Sequence, residues 1–271
     1  MSDPKEIKFS LSYLIHIGEV NLAKKLLHCI NEFSKEYNFF MPTRYGSSNP
    51  LKYNYNSENI SEMLNFWMNE EDNKKYAADE ISNGCLLMSK VKRGQSKRAV
   101  SYMLLWLKEN RAHFNGISFI LDSEILKEKN MQYEFLNLYG RIISIAEPIY
   151  GSISNSEFGV TMSNIKTRLP DKQWMYVLGD PYIKLLGKEK ILSSPSHKIH
   201  VFTNNVLGMQ VTENLYEPIP EESMRKLREH FGRDVFAEGN RRYKTGSAPD
   251  FDFSAVMFDK TKPMKELKMF S

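Results

Sequence analysis

The N-terminal half of the chain switches between strand and helix periodicities. Apolar residues at every second position from Phe9 to Ile17 predict a strand with one buried face, and Gly18 ends this pattern. Apolar residues at helical spacing then predict an amphipathic helix over residues 19–37. A second helix is predicted after Ser57, which is a suitable N-cap. Three short apolar runs predict three strands: Cys85 to Val91, Val100 to Leu107 and Ile117 to Leu121. The middle run is apolar on both faces and fits a central strand, with a buried helix as the alternative.

The C-terminal half has a similar order of elements. They are a helix over residues 135–145, a strand over 174–178, a short helix from Asp180, a hairpin of strands 198–202 and 207–212, and a helix over 220–231. Asp180 is predicted to cap its helix with the carboxylate, and Pro181 suits the first helical turn. The polar and glycine-rich residues 42–56 predict a long loop.

These elements together predict an α+β fold, with mixed or antiparallel sheet hairpins and helices packed on the sheet. Two similar α+β halves are an alternative arrangement within that class. We expect a single α+β domain over residues 1–271, with a seam near residues 155–173 if the chain divides. An irregular C-terminal tail is predicted for residues 240–271.

Composition narrows the class of protein. The chain has 271 residues, of which 41% are hydrophobic and 26% charged, as in an ordinary globular protein. Its two cysteines, Cys29 and Cys85, are interpreted as free core thiols, and a disulfide between them stays open. The first ten residues lack the apolar core of a signal peptide, and no apolar run approaches the ~20 residues that cross a bilayer. We therefore expect a cytoplasmic protein with no membrane partner.

The sequence contains no motif that amounts to a catalytic centre. A phosphate-binding glycine-rich loop and a nucleophile elbow are both absent. His197 and His200 bracket a predicted strand, where a spacing of three puts them on opposite faces, so we predict no metal site there. Asp250 and Asp252 are interpreted as a solvated pair. We expect no cofactor and no enzyme, with dispersed catalytic residues as the alternative.

The charge distribution gives a second hypothesis for function. The net charge is +4, and one basic cluster has no acid within it. Its members are Lys90, Lys92, Arg93, Lys97 and Arg98. We interpret residues 90–98 as a solvated loop, and a loop that contacts nucleic-acid phosphates is the alternative.

One stretch carries a resemblance to a known family. It runs from Trp174 to Gly187, and its characteristic positions are Trp174, Gly179, Asp180, Pro181, Tyr182 and Gly187. The stretch resembles the α+β immunity proteins that bacteria encode beside polymorphic or contact-dependent toxins, in particular the immunity-protein-52-like group. The resemblance implies a cytosolic antitoxin that binds and blocks one cognate toxin, and it implies no catalytic residues. The motif residues themselves are expected to be structural, in tight turns and in the core.

Two groups of residues are candidates for binding the toxin. Tyr45, Tyr53 and Tyr55 fall in the predicted polar loop, where core packing does not account for them. The second group is acidic and consists of Glu70, Glu71, Asp72, Asp79 and Glu80. The alternatives are that the loop packs on its own domain and that the acidic residues form a solvated face.

Overall fold

The computed structural model describes residues 6–12, 20–68, 83–91, 98–107, 116–128, 130–154, 169–233 and 235–236. In these ranges the chain has an α+β fold, as the sequence predicted. The strands are β1 (Glu6–Ser12), β2 (Arg44–Gly46), β3 (Tyr53–Asn54), β4 (Asn83–Val91), β5 (Arg98–Leu107), β6 (Gly116–Asp122), β7 (Tyr150–Ser154), β8 (Met175–Gly179), β9 (Lys198–Thr203) and β10 (Val206–Gln210). The α-helices are α1 (Val20–Glu36), α2 (Ile60–Met68), α3 (Ser123–Leu126), α4 (Met131–Ala146), α5 (Asp180–Leu186), α6 (Lys188–Leu192) and α7 (Glu221–Phe231), and a short 3-10 helix spans Asn38–Phe40.

The described residues divide into two compact units, with boundaries between Ile7 and Lys8, inside β1, and between Pro148 and Ile149. We call residues 8–148 the N-terminal unit, and residues 6–7 together with 149–236 the C-terminal unit. The division precedes the predicted seam at residues 155–173, of which residues 155–168 lie outside the described part of the chain. The predicted single domain therefore stays a prediction, and the predicted tail at residues 240–271 also lies outside the described residues.

The N-terminal unit is a sheet with helices on one face. Its strands lie in the order β3-β2-β4-β5-β6-β1, where β1 contributes its residues from Lys8 onward, and β4, β5 and β6 pair antiparallel over most of their lengths. Phe135 of α4 lies at the centre of the core, with ring centroids 5.7 Å from Phe119 of β6 and 4.6 Å from Phe9 of β1. Phe40 of the 3-10 helix also contacts this ring at 5.3 Å. Aromatic packing of this kind buries large apolar areas and fixes the helices against the sheet.

The prediction of a long loop over residues 42–56 is wrong in part. Tyr45 in β2 pairs with Tyr53 in β3 and with Met88 in β4, so the segment forms a hairpin at the edge of the sheet. Each of its two strands is only two or three residues long, which is too short for a period of two to emerge from the sequence.

The C-terminal unit is built on strands in the order β7-β8-β10-β9, with antiparallel pairs between neighbours. All five residues of β8 and of β10 are buried. Tyr176 of β8 reaches the helix α7, since its hydroxyl lies 4.0 Å from the sulfur of Met224. The same hydroxyl donates a hydrogen bond to the carbonyl of Pro170 at 2.8 Å. The sequence did not predict β7, whose Gly151, Ser152 and Ser154 are typical of a turn.

The predicted cap at Asp180 is also corrected. The N-cap residue of α5 is Gly179, and Asp180 is the first residue inside the helix. Its carboxylate forms an ion pair with the ammonium of Lys184, one turn later in the helix, at a distance of 2.6 Å. An acid in the first turn still favours the helix through its dipole, although it does not cap the backbone amides.

Candidate interaction site

The motif around Trp174 lies in the core of the C-terminal unit. Trp174 is 1% exposed, its backbone N–H donates to Ile153 at 2.9 Å, and its carbonyl accepts from Val211 at 2.8 Å. Tyr182 on α5 is fully buried, with its ring 5.8 Å from that of Tyr150. These side chains hold the unit together and offer no contact area to another molecule.

The two motif glycines have different backbone conformations. Gly187, between α5 and α6, has a φ of +90°, in the region that favours glycine because a side chain there clashes with the backbone. Gly179 has a φ of −81° and a ψ of 179°, which is extended backbone that any residue adopts. The backbone therefore requires a glycine at Gly187 and imposes no such requirement at Gly179. Pro181 occupies the first turn of α5.

Tyr45 and Tyr53 form an aromatic group with Phe66 of α2. The Tyr45 and Tyr53 rings stack at a centroid distance of 5.3 Å, and Phe66 lies 5.4 Å from Tyr45 and 5.0 Å from Tyr53. Tyr45 is 3% exposed, whereas Tyr53 is 42% exposed. Tyr45 thus belongs to the core, and Tyr53 covers it at the surface.

Tyr55 is half-buried and bound within its own unit. Its hydroxyl donates a hydrogen bond to Asn31 Oδ1 at 2.6 Å, and the Asn31 amide in turn donates to the carbonyl of Ser57 at 3.0 Å. Burial, together with the nearby charge of Glu32, raises the pKa of Tyr55. The three tyrosines therefore do not form one exposed surface.

The acidic candidates, from Glu70 to Glu80, lie outside the described residues, whereas the helix before them and the strand after them are described. Residues 69–82 connect the end of α2 to the start of β4. The indole N–H of Trp67 donates to the carbonyl of Gly84 at 3.3 Å, and Trp67 is fully buried. This bond holds the two ends of the acidic stretch together.

The sequence reasoning missed a surface on the sheet of the N-terminal unit. We call it the open face, and it consists of Cys85, Leu87, Met103, Leu105 and Ile120. Met103 is 39% exposed, and the other four side chains are half-buried. The residues between them along each strand point to the opposite face, which packs on the helices. The apolar residues on both faces of β5 predicted a central strand, and they did not indicate that one face is accessible to solvent.

The side chains of His200, Cys29 and Cys85 are half-buried. His200 Nε2 shares a hydrogen bond with Gln210 Oε1 at 2.8 Å, and burial lowers its pKa, while His197 is exposed. Neither Cys29 nor Cys85 forms a disulfide, and burial raises the pKa of Cys85 to about 11. The described ranges contain no group of three or more His, Cys, Asp or Glu residues that could hold a metal.

The basic cluster is described at its ends. The Lys90 ammonium donates to the carbonyl of Asn38 at 2.7 Å and lies 5.4 Å from the centre of the Phe39 ring. Burial lowers the pKa of Lys90. Arg98 begins β5, and residues 92–97 lie outside the described part of the chain. Lys90 is therefore bound within its own unit.

Among the described residues, no helix is both long enough and apolar enough to cross a membrane.

Comparison with known proteins adds information on the fold. No protein-family model matches the sequence, and no curated protein matches it. Among solved structures, the Pseudomonas aeruginosa T6SS protein PA0821 superposes with a TM-score of 0.57 at 12% sequence identity, over 98% of this chain and 83% of that one. At this identity the likeness shows that the two proteins share a fold.

Proposed function

We propose that this chain is an immunity protein that binds a cognate bacterial effector toxin and neutralises it stoichiometrically in the cytoplasm. The observation that carries the proposal is the fold shared with a T6SS protein over 98% of the chain. This likeness supports a role in competition between bacteria. The run from Trp174 to Gly187, which resembles immunity proteins, is an independent reason drawn from the sequence.

A neutralising protein needs an accessible surface rather than a pocket. A stable protein–protein interface buries about 800 Å² on each partner and is centred on a few apolar or aromatic side chains. In the N-terminal unit, Tyr53 and Met103 are exposed apolar side chains held on paired strands, and such support limits the conformational entropy lost on binding. The Trp174 motif is buried, so its contribution to binding is to maintain the fold.

The first experiment is capture of partners by the tagged full-length chain from its source cells, followed by a protection assay. We expect one stoichiometric protein partner with a C-terminal toxin domain. Expressed alone in a second bacterium, that partner should stop growth, and co-expression of this chain should restore growth. A partner whose toxicity is unaffected by this chain would contradict the proposal.

Recovery of nucleic acid in place of a protein would instead favour the basic cluster. Retention that weakens with salt and is lost in the double variant Arg93→Glu and Lys97→Glu would then identify nucleic acid as the partner. The same variant should protect cells as well as the wild-type chain if the immunity proposal is correct.

A further inference from the structure

We infer that the open face of the N-terminal unit is the surface that binds the effector, and that it takes an apolar protein surface bordered by carboxylates. This inference rests on the proposed function and names the contact surface and the chemistry of the partner. Its evidence is the register of three strands, the exposure of their side chains and the charges beside them.

The strand register brings the apolar side chains of the open face together. Leu87 of β4 pairs with Met103 of β5, and Cys85 pairs with Leu105. Paired side chains on one face of an antiparallel sheet lie about 5 Å apart, so these four residues form one continuous patch. Ile120 of β6, opposite Ser101, extends this patch across the third strand.

The opposite face of the same strands is already covered by helices. The hydroxyl of Tyr102 donates to the carbonyl of Phe40 at 2.9 Å, and Phe119 contacts Phe135. Leu86, Met88 and Leu104 on that face are at most 1% exposed. Met103, by contrast, is 39% exposed, and Leu87 and Leu105 beside it are half-buried, so the other face is only partly covered. A partly exposed apolar patch on a sheet with polar residues around it is typical of a binding site.

Positive charge borders the patch on the side of the β2–β3 hairpin. Arg44 pairs with Ser89, whose position in β4 lies two residues beyond Leu87, and alternation therefore puts Arg44 on the same face as Leu87. Lys52 precedes Tyr53, and the same alternation puts it on the side of Arg44. Both side chains are exposed.

Negative charge is scarce on the same strands. Strands β2 to β5 contain no Asp or Glu. Asp122 at the end of β6 is 2% exposed, and its carboxylate accepts the backbone N–H of Glu124 at 3.1 Å. The face thus has an apolar centre and a cationic border, which is complementary to an apolar surface with carboxylates at its edge.

The same chemistry argues against two other occupants. A second copy of this chain would bring Arg44 and Lys52 rather than carboxylates to the contact. A nucleic acid would pair with the two cations but would leave the apolar centre against phosphates. An effector protein with acidic residues around an apolar contact satisfies both parts of the face.

The first test reverses the charge of the border. The double variant Arg44→Glu and Lys52→Glu should bind the captured partner roughly tenfold more weakly and protect cells less well. The matched control is Lys24→Glu with Lys25→Glu, which makes the same change of charge on the exposed side of α1. Equal affinity of the two double variants would overturn the inference.

The second test measures protection of the face directly. The variant Met103→Cys puts a thiol at the centre of the patch, where it should react rapidly with a maleimide in the free chain. The native thiols should react slowly, since burial raises the pKa of Cys29 and of Cys85. Complex formation should slow labelling at position 103 and leave a thiol at Val201→Cys, on the exposed strand β9, unaffected.

Each outcome bears on the inference separately from the proposed function. Protection at position 103 by a partner that is not a toxin would support the surface and overturn the immunity function. Neutralisation of a toxin without protection at position 103 would support the function and overturn the surface. Slow maleimide labelling at position 103 in the free chain, or labelling that slows as the protein concentration rises, would show that the open face is covered by this chain or by a second copy of it. Either result would overturn the inference. Recovery of no protein partner would overturn both.

Discussion

Arg228 of α7 and Asp171, which precedes β8, form an ion pair of 2.8 Å in which each side chain is only 9% exposed. The Arg228 guanidinium also donates a hydrogen bond of 2.5 Å to the carboxylate of Glu221, about two turns earlier in the same helix. The pair joins α7 to the segment that leads into β8, and so fixes the helix against the sheet of the C-terminal unit. Breaking a buried pair leaves one charge without its partner, which costs more than the pair itself contributes.

We therefore predict that Arg228→Met lowers the free energy of unfolding by about 3 kcal/mol. Arg225→Met on the same helix is the matched control, because Arg225 makes ion pairs with Glu222 and Glu229 while exposed to solvent. That variant should cost less than about 1 kcal/mol, as expected for surface pairs. Urea denaturation followed by circular dichroism measures both, and equal losses would contradict the prediction.

A second prediction concerns the contact between Gly208 and Phe202. A Cβ added at Gly208 would lie 2.6 Å from Cε2 of Phe202 and 3.3 Å from Cβ of His200. Gly208→Ala should therefore lower the free energy of unfolding by roughly 1–3 kcal/mol, since the ring has to move. The same substitution should cost much less in a Phe202→Ala background, and a thermal or urea unfolding cycle over the four proteins checks this coupling. Identical costs in both backgrounds would show that the ring is not the obstacle.

A third prediction separates two of the tyrosines. Tyr55→Phe removes the hydroxyl that donates to the buried Asn31 Oδ1, and it should lower the free energy of unfolding by about 1–3 kcal/mol. We expect no direct effect of this variant on the affinity for the partner. Tyr53→Ala removes a ring that is 42% exposed, and we expect a smaller loss of stability. Chemical denaturation of the two variants is the measurement. A larger loss for Tyr53→Ala would contradict this assignment.

A fourth prediction concerns pH. Burial is the main cause that lowers the pKa of His200, with smaller lowering effects from Lys198 and His197, while the bond to Gln210 raises it. The unfolded chain therefore binds a proton more readily, so the stabilising contribution is present above the ordinary histidine pKa of ~6.5. It is lost as the pH falls through that value towards the lower pKa of the folded state.

Denaturation at pH 7.5 and pH 5.5 should show a greater loss of stability on acidification in the wild-type chain than in His200→Gln. A His200→Gln variant with an unchanged pH dependence would contradict the assignment.

Long elements with clear periodicity could be predicted from the sequence. The predicted helix at residues 19–37 is α1, and the predicted strands around Cys85, Val100 and Ile117 are β4, β5 and β6. Each contains enough apolar positions for its period to be distinct. By contrast, β7 and the β2–β3 hairpin owe their conformation to backbone pairing with neighbouring strands, and their sequences resemble turns.

The candidate site could be predicted less well for a related reason. The sequence identified Tyr53 as a surface residue, but it grouped Tyr53 with Tyr45 and Tyr55, which are held within the unit. Whether a side chain is exposed depends on which face the helices cover, and Met103 shows that an apolar residue in an apolar strand can remain accessible. That information comes from packing between distant segments.

The bond between Trp67 and Gly84 has a consequence for divergence among related chains. Because this hydrogen bond joins the end of α2 to the start of β4 directly, it holds the two ends of residues 69–82 together. Doubling the length of a closed loop costs only about 0.6 kcal/mol in closure entropy. Related chains could therefore differ in the number of residues between α2 and β4 with little change in the entropy cost of closure. A label inserted there would likewise leave the hydrogen bond between Trp67 and Gly84 in place.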